Sequence, residues 1–105
     1  MKPLAIITGA AGLIGQYVIK NASRWAPDWE VHGLGRADLD LTDQRAVEQL
    51  WRSLKPSAVI HCAALSRTKD CERDPQHARR INVEATAYLA GCSREIPFVF
   101  LSSGE

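Results

Sequence analysis

The residues of this chain best suited to binding chemistry are three glycines, spaced Gly-x-x-Gly-x-x-Gly within Thr8–Gly15. The apolar run Leu4–Ile7 precedes them, and a helix-forming stretch continues from Gln16. A glycine turn between a strand and a helix lets the backbone approach a phosphate group closely. The first helical turn adds N–H groups without intrahelical acceptors and a partial positive charge. The segment therefore predicts a site for a phosphate-bearing ligand, with a purely structural turn as the alternative.

Strand-like and helix-like segments alternate along the chain and would position this turn. After the first strand, further strands are predicted at Trp29–Leu34, Ala37–Leu41, Ala58–Ala64 and Phe98–Leu101. One helix is predicted from the apolar face Ala46, Val47, Leu50, Trp51 and Leu54, with Thr42 as its N-cap and Lys55-Pro56 at its end. A second helix is predicted to begin at Asp74-Pro75 and to present Ile81, Ala85, Tyr88, Leu89 and Cys92 on one face.

This alternation predicts an α/β fold with a doubly wound parallel sheet of the Rossmann type. Right-handed crossovers give the strand order 3-2-1-4-5, with the sheet incomplete at its C-terminal end. The order reverses between strands 1 and 4, so a ligand is expected over Gly9–Gly15 and Ala63-Ala64.

Bulk composition narrows the function classes further. The 105 residues bound the chain to one domain or less, and 46% hydrophobic with 24% charged residues is typical of soluble globular proteins. A net charge of +1 argues against a nucleic-acid arm or an electrostatic membrane anchor. Cys62, Cys71 and Cys92 have no metal or redox spacing, and no leader or membrane span is evident. We expect reduced thiols, no metal site and a cytoplasmic location.

The form of the glycine turn resembles that of the extended short-chain dehydrogenase/reductase superfamily. This resemblance implies that the turn cradles the pyrophosphate of a nicotinamide cofactor. The implied cofactor-binding residues in this segment are Thr8, Gly9, Gly12, Leu13, Ile14 and Gly15.

Two later segments are similar to cofactor-binding segments of the same superfamily. Asp38–Asp43 resembles the segment that holds the adenine, which implies this role for Asp40 and Leu41; the alternative is that Asp40 only caps a turn. His61–Ala64 is similar to the strand end beneath the nicotinamide ribose, which implies contacts by Ala63 and Ala64, although small residues there also suit close packing.

The C-terminal third completes the resemblance. Asn82 matches a helix asparagine of the superfamily and is assigned to cofactor binding with Ser102. Phe98–Ser103 resembles the strand that ends in the catalytic Ser or Thr, which implies that Ser103 bonds the substrate carbonyl.

Within the superfamily, the chain is most similar to sugar-nucleotide reductases of the dTDP-4-dehydrorhamnose reductase type. Leu54–Ile60 and the helix Ala78–Ala90 carry this likeness, and Arg36–Asp43 also resembles GDP-fucose synthase. A lysine, Lys69, stands where these reductases have an aspartate. The likeness implies a nucleotide-linked 4-keto sugar as the substrate of a full-length protein. Lys69 weakens this substrate assignment more than it weakens the cofactor assignment.

Two residues after the second predicted strand indicate which cofactor is used. NAD-binding proteins usually place a carboxylate at the end of strand 2, where this chain has Gly35 followed by Arg36. Arginine pairs with phosphate bidentately, so we expect a preference for NADP(H), with NAD(H) possible. The alternative is that Arg36 is only a solvated loop charge.

The catalytic Tyr-x-x-x-Lys of the superfamily has no counterpart in these residues. Tyr17 and Tyr88 are the two tyrosines, and Asn21 and Cys92 stand four residues after them. Residues 1–105 are thus expected to be the N-terminal portion of an NAD(P)-binding domain, with the substrate-binding part lying beyond and no turnover by this chain alone.

Two other functions stay open. One is an epimerase or dehydratase that acts on nucleotide sugars with tightly held NAD. The other is a regulatory protein that keeps the fold without the chemistry, as in the regulatory subunit of methionine adenosyltransferase. For each of these functions the expected partner is a nicotinamide cofactor, and we expect binding to neither nucleic acid nor a membrane. The apolar last strand also favours self-association of the chain.

Overall fold

The computed structural model of the chain describes residues 2–10, 12–35, 38–63 and 75–102. The strands are β1 (Leu4–Thr8), β2 (Glu30–Leu34), β3 (Ala58–Ala63) and β4 (Phe98–Ser102). The helices are α1 (Leu13–Trp25), α2 (Gln44–Leu54) and α3 (Pro75–Cys92). None of the helices in the described part of the chain has the length and apolarity needed to cross a membrane.

The strands form one parallel sheet in the order β2-β1-β3-β4. β1 pairs with β2 on one side and with β3 on the other, so the connections run in opposite directions from β1. This is the predicted doubly wound, Rossmann-type order without its third strand. The end of β1, where Thr8 pairs with Leu34 and with His61, is therefore the switch point of the sheet.

The prediction of a strand at Ala37–Leu41 is wrong for residues 38–41, which are the part of this segment that the structure describes. Residues 38–41 are a turn and irregular chain. The side chain of Asp38 accepts a hydrogen bond from the Gly35 N–H, and that of Asp40 accepts one from the Thr42 N–H. Such local bonds offer the backbone an alternative to a sheet ladder, which is why an extended-looking sequence forms a loop here.

Helix α2 begins one residue later than its sequence predicts. Asp43, not Thr42, is the N-cap, and its carboxylate accepts a hydrogen bond from the Ala46 N–H at 3.1 Å. The end is as predicted: Lys55 adopts the left-handed conformation at φ 47°, immediately before Pro56. A proline cannot continue the helix, so the chain leaves α2 here and enters β3.

Helices cover both faces of the sheet. The main core lies between one face and helices α2 and α3, and its buried members are Ile6, Leu34, Val47, Trp51, Val59 and Leu89. Because side chains alternate along a strand, Ile7 and Gly33 point to the opposite face. There Gly33 lets Ile19 of α1 pack onto β2, since a Cβ on Gly33 would lie 2.5 Å from the Ile19 Cδ1.

The outer edge of β4 has no partner strand within the described residues. Val99 and Phe100 of this strand are each 47% exposed. An apolar edge strand offers both unpaired backbone groups and apolar surface to another chain. The predicted self-association would use this edge.

We expect Val99→Lys to weaken self-association about tenfold, because a charged side chain at a strand edge opposes pairing with a second strand. Sedimentation equilibrium measures the effect. Val83→Lys is the matched control, since Val83 is 61% exposed on α3, away from the edge. A strictly monomeric mass for the unaltered chain would contradict the prediction.

Candidate functional site

Gly9 turns the chain sharply at the end of β1. Its φ of 67° lies in the left-handed region that residues with a side chain rarely adopt. A Cβ at this position would overlap the carbonyl oxygen of Cys62 in β3. Residue 9 is therefore restricted to glycine for two reasons, its left-handed conformation and the close approach of the neighbouring strand β3.

The other two glycines place the start of α1 directly on this turn. Gly12 is the N-cap, its N–H donates to the Gly9 carbonyl at 3.0 Å, and its own carbonyl accepts from the Gln16 N–H at 2.9 Å. Gly15 is buried, and a Cβ there would overlap the Gly9 carbonyl oxygen and lie 2.9 Å from the Ala10 Cα. The third glycine thus allows the helix to contact the turn backbone.

The N-terminus of α1 is left open for an anion. Gly12 provides no side-chain cap, and the first turn contains no acidic residue. The N–H groups of this first turn have no acceptors within the helix, and the helix dipole places a partial positive charge there. Leu13 is 90% exposed at the same point, and Ile14 is half-buried. The arrangement offers backbone donors beside an apolar surface, as a nucleotide with its ribose and phosphates requires.

A buried chain of hydrogen bonds fixes the end of β1 on the face of the sheet that packs against α2 and α3. Thr8 Oγ1 lies 2.5 Å from His61 Nδ1, and His61 Nε2 lies 3.0 Å from Thr86 Oγ1 on α3. The side chain of Thr8 is fully buried, so the cofactor contact predicted for this residue is open only to its backbone. Burial lowers the pKa of His61, which is therefore neutral at pH 7.

A carboxylate lies at the end of β2. The Ala10 N–H donates to the Leu34 carbonyl at 3.1 Å, which ties the glycine turn to β2. The next residue, Gly35, donates its N–H to Asp38 Oδ2 at 2.8 Å, and its carbonyl accepts from the Asp38 N–H at 3.0 Å. Asp38 is not among the site residues predicted from the sequence, although aspartate side chains commonly bond to nearby backbone groups.

Asp40 caps a turn, which is one of the two roles that the sequence left open for it. Its Oδ1 accepts from the Thr42 N–H at 2.9 Å and from the Thr42 hydroxyl at 2.6 Å. These hydrogen bonds hold the pKa of the Asp40 carboxyl below its usual value. The residue is exposed, and Leu41 beside it is half-buried against the core. A role for both in adenine binding stays a prediction.

The remaining predicted site residues are only partly within the described chain. Arg36, Ala64 and Ser103 lie outside it. Ala63 and Ser102 are paired in register at the carboxyl ends of β3 and β4, so their backbones share the edge of the sheet with the glycine turn. Asn82 is on α3.

A cavity of about 430 Å³ lies near the amino ends of β3 and β4, at the opposite end of the strands from the glycine turn. Lys55, Pro56 and residues 91–96 are among those that line it, and they precede β3 and β4. Ligands of open α/β sheets bind outside the carboxyl ends of the strands. The topology therefore favours the glycine turn over this cavity as the functional site.

We expect Gly9→Ala to lower the free energy of unfolding by about 2 kcal/mol or more, because it combines left-handed strain with overlap on the Cys62 carbonyl. Urea denaturation measures the loss. Gly91→Ala is the control: residue 91 is in α3 with nothing within 4 Å of an added Cβ, and the change should be neutral or stabilising by up to about 1 kcal/mol. Equal effects of the two substitutions would contradict this account.

The stability of the fold should depend on pH through His61. Because its pKa is lower when folded, the unfolded chain binds the proton more readily. The stabilisation is complete above the usual histidine pKa of 6.5 and decreases as the pH falls below it. Urea denaturation between about pH 7.5 and about pH 5.5 measures this slope. His61→Gln should flatten it, whereas His32→Gln at an exposed position should retain it; an unchanged slope in His61→Gln would contradict the prediction.

Comparison with known proteins agrees with this geometry. Residues 2–104 match the family model described as the RmlD substrate binding domain. The dTDP-4-dehydrorhamnose reductase of Streptomyces griseus is 32% identical over 100 residues, which are 95% of this chain and 32% of that protein. Methionine adenosyltransferase 2 subunit beta of Xenopus laevis is 39% identical over 93 residues, 82% of this chain and 27% of that protein. The chain thus spans about a third or less of the length of these relatives.

Solved structures share the fold. The dTDP-4-dehydrorhamnose reductase of Bacillus anthracis, in complex with NADP, matches with a TM-score of 0.75 and 28% identity, over 89% of this chain and 32% of that one. UDP-glucose 4-epimerase of Thermus thermophilus, in complex with NAD, matches with a TM-score of 0.71 and 25% identity, over 88% of this chain and 34% of that one. With a family match over residues 2–104 and this doubly wound sheet, the chain belongs to the RmlD substrate-binding domain family.

Proposed function

We propose that this chain is the NAD(P)-binding portion of a short-chain oxidoreductase that reduces a nucleotide-linked 4-keto sugar with NADPH. The observation that carries the proposal is the uncapped N-terminus of α1, set by Gly9 and Gly15 against the switch point of the sheet. A pyrophosphate fits this place because it needs several N–H donors and close access to the backbone.

Different assigned residues would bind different parts of the cofactor. The amides of Leu13 and Ile14 would bind the pyrophosphate, and Gly12, which has no side chain, would let it approach the backbone. The exposed Leu13 side chain would cover apolar surface of the ligand. Asp40 and Leu41, assigned to the adenine, follow β2 in the chain. Of the two residues assigned to the ribose, Ala63 is the last residue of β3 and Ala64 follows it in the sequence. The full proposed set is Thr8, Gly9, Gly12, Leu13, Ile14, Gly15, Arg36, Asp40, Leu41, Ala63, Ala64, Asn82 and Ser102.

The chemistry of the reaction is divided between this chain and the rest of a longer protein. The cofactor would supply the hydride, and Ser103 would donate a hydrogen bond to the ketone oxygen of the substrate. No Tyr-x-x-x-Lys occurs in these 105 residues, so we assign cofactor binding to this chain and no turnover of its own. The reductases among its relatives support the assignment of reaction type.

A regulatory role is the second candidate. It is favoured by the 39% identity to methionine adenosyltransferase 2 subunit beta and by Lys69, which replaces the aspartate expected in the reductases. A nucleotide-sugar epimerase or dehydratase is the other enzyme candidate, favoured by the likeness to an epimerase in complex with NAD. An epimerase would retain NAD through purification, whereas a reductase must bind and release its cofactor.

We expect this protein to bind NADPH more tightly than NADH, as measured by isothermal titration calorimetry. Arg36→Ala should weaken NADPH binding about tenfold and leave NADH binding unchanged, because it removes a charge-assisted bond to the 2′-phosphate. Arg24→Ala is the control, since Arg24 is in the last turn of α1, away from its N-terminus. Equal or tighter binding of NADH by the unaltered protein would contradict the preference, and binding of neither cofactor would contradict the proposed function.

A further inference from the structure

The cavity near the amino ends of β3 and β4 lies between the carboxyl ends of helices α2 and α3. Its volume of about 430 Å³ is within the range that small-molecule sites have in proteins. Trp51 forms part of its wall, and the indole Nε1 donates to Ser93 Oγ at 3.1 Å, which holds the ring in place. Pro56 and Ile96 add apolar surface. The cavity therefore offers a fixed apolar wall to a ligand.

A glycine in the last turn of α3 leaves this cavity open. Gly91 is within the helix, its φ is not positive, and an added Cβ would meet nothing within 4 Å. Gly9, Gly15 and Gly33 differ, because a Cβ at each of them would contact a neighbouring residue. Glycine is less favourable within a helix than every residue except proline. Neither packing nor helix formation thus requires Gly91, whereas a larger side chain would extend into the cavity that it lines.

Lys55, on the other wall, departs from the local preference in the opposite sense. It ends α2 in the left-handed conformation, at φ 47°, where glycine is the usual residue and a side chain is strained. Strained residues of this kind are concentrated at functional sites. Lysine therefore stands where the backbone favours glycine, and glycine stands at position 91 where the helix favours a side chain. Both departures are on the same cavity.

The charged groups of the cavity favour an anion. Arg52, Lys55 and Arg94 line it together with two acidic residues, Glu48 and Glu95. One Glu48 oxygen accepts from Arg52 and the other from the Tyr88 hydroxyl, so this carboxylate is already bonded. Neither Lys55 nor Arg94 makes an ion pair with any residue in the described part of the chain. The carboxyl ends of the two helices carry partial negative charge, which favours one carboxylate over a multiply charged anion.

We propose that this cavity is a ligand site separate from the glycine turn, which takes a small carboxylate with an aromatic or aliphatic body. The apolar body would lie against Trp51 and occupy the space left by Gly91. The carboxylate would pair with Lys55 and Arg94. The inference does not depend on the proposed function, because the cavity is at the opposite end of the strands from the glycine turn.

Three substitutions separate the features of the site. Gly91→Leu fills the cavity, Lys55→Gly removes one cation and relieves the left-handed strain, and Arg94→Gln removes the other cation. Arg24→Gln is the matched control for charge, since Arg24 is in the last turn of α1 and does not line the cavity. Urea denaturation should show Gly91→Leu and Lys55→Gly to be as stable as the unaltered protein or more stable, because each restores the local preference.

The probes are phenylacetate and phenylacetamide, which share an apolar body and differ in charge. Each is titrated into the purified protein, and binding is followed by the NMR resonance of the Trp51 indole N–H. Trp25→Phe and Trp29→Phe identify this resonance among the three tryptophans of the chain.

We expect phenylacetate to bind saturably and more tightly than phenylacetamide. Gly91→Leu should weaken phenylacetate binding at least tenfold, and Lys55→Gly and Arg94→Gln about three- to fivefold each, as for exposed ion pairs. Arg24→Gln should leave it unchanged, and saturating NADPH should not displace it. The inference is overturned if the Trp51 resonance shows no saturable change, if the two probes bind equally, or if folded Gly91→Leu binds as the unaltered protein does. Displacement by NADPH would contradict a separate site, and failure to bind NADPH would overturn the proposed function alone.

Discussion

The close approach of the Gly9 backbone to the Cys62 carbonyl is the contact on which the rest of this structure depends. It brings the ends of β1 and β3 together at the point where the strand order reverses. The left-handed conformation of Gly9 then turns the chain back toward α1, and Gly15 lets the helix contact the turn. A side chain at either glycine would separate the helix N-terminus from the sheet edge. The position of α1 at the end of the sheet and its anion-binding geometry thus depend on the same constraint.

The face of the sheet that packs against α2 and α3 supports this turn with buried polar contacts. Thr8, His61 and Thr86 connect β1, β3 and α3 through the two nitrogens of one neutral imidazole. Within the described residues, every buried side-chain nitrogen or oxygen has a hydrogen-bond partner. A satisfied buried network of this kind rigidifies the elements that it joins. A rigid turn favours phosphate binding because its N–H donors are already oriented before the ligand arrives.

The sequence predicts the glycine turn and the strand order because both depend on local signals, the glycine spacing and the alternation of apolar runs. It does not predict the Thr8–His61 contact, because that requires the register of two strands far apart in the chain. The strand predicted at Ala37–Leu41 fails in residues 38–41, where aspartate side chains bond to nearby backbone. The place of the Asp38 carboxylate likewise depends on its hydrogen bond with the Gly35 N–H, which the sequence pattern does not predict. Neighbouring cap-forming residues, Thr42 and Asp43, leave the start of α2 uncertain by one position.

The most direct test of this account is a map of backbone amide chemical shifts during titration of the protein with NADPH. The central claim is that the pyrophosphate binds at the N-terminus of α1. We expect the largest shift changes in residues 9–15 and at Gly35, with little change at Lys55 and residues 91–96, which line the cavity near the amino ends of the strands. Changes confined to that cavity, or no localised change at saturating NADPH, would contradict it.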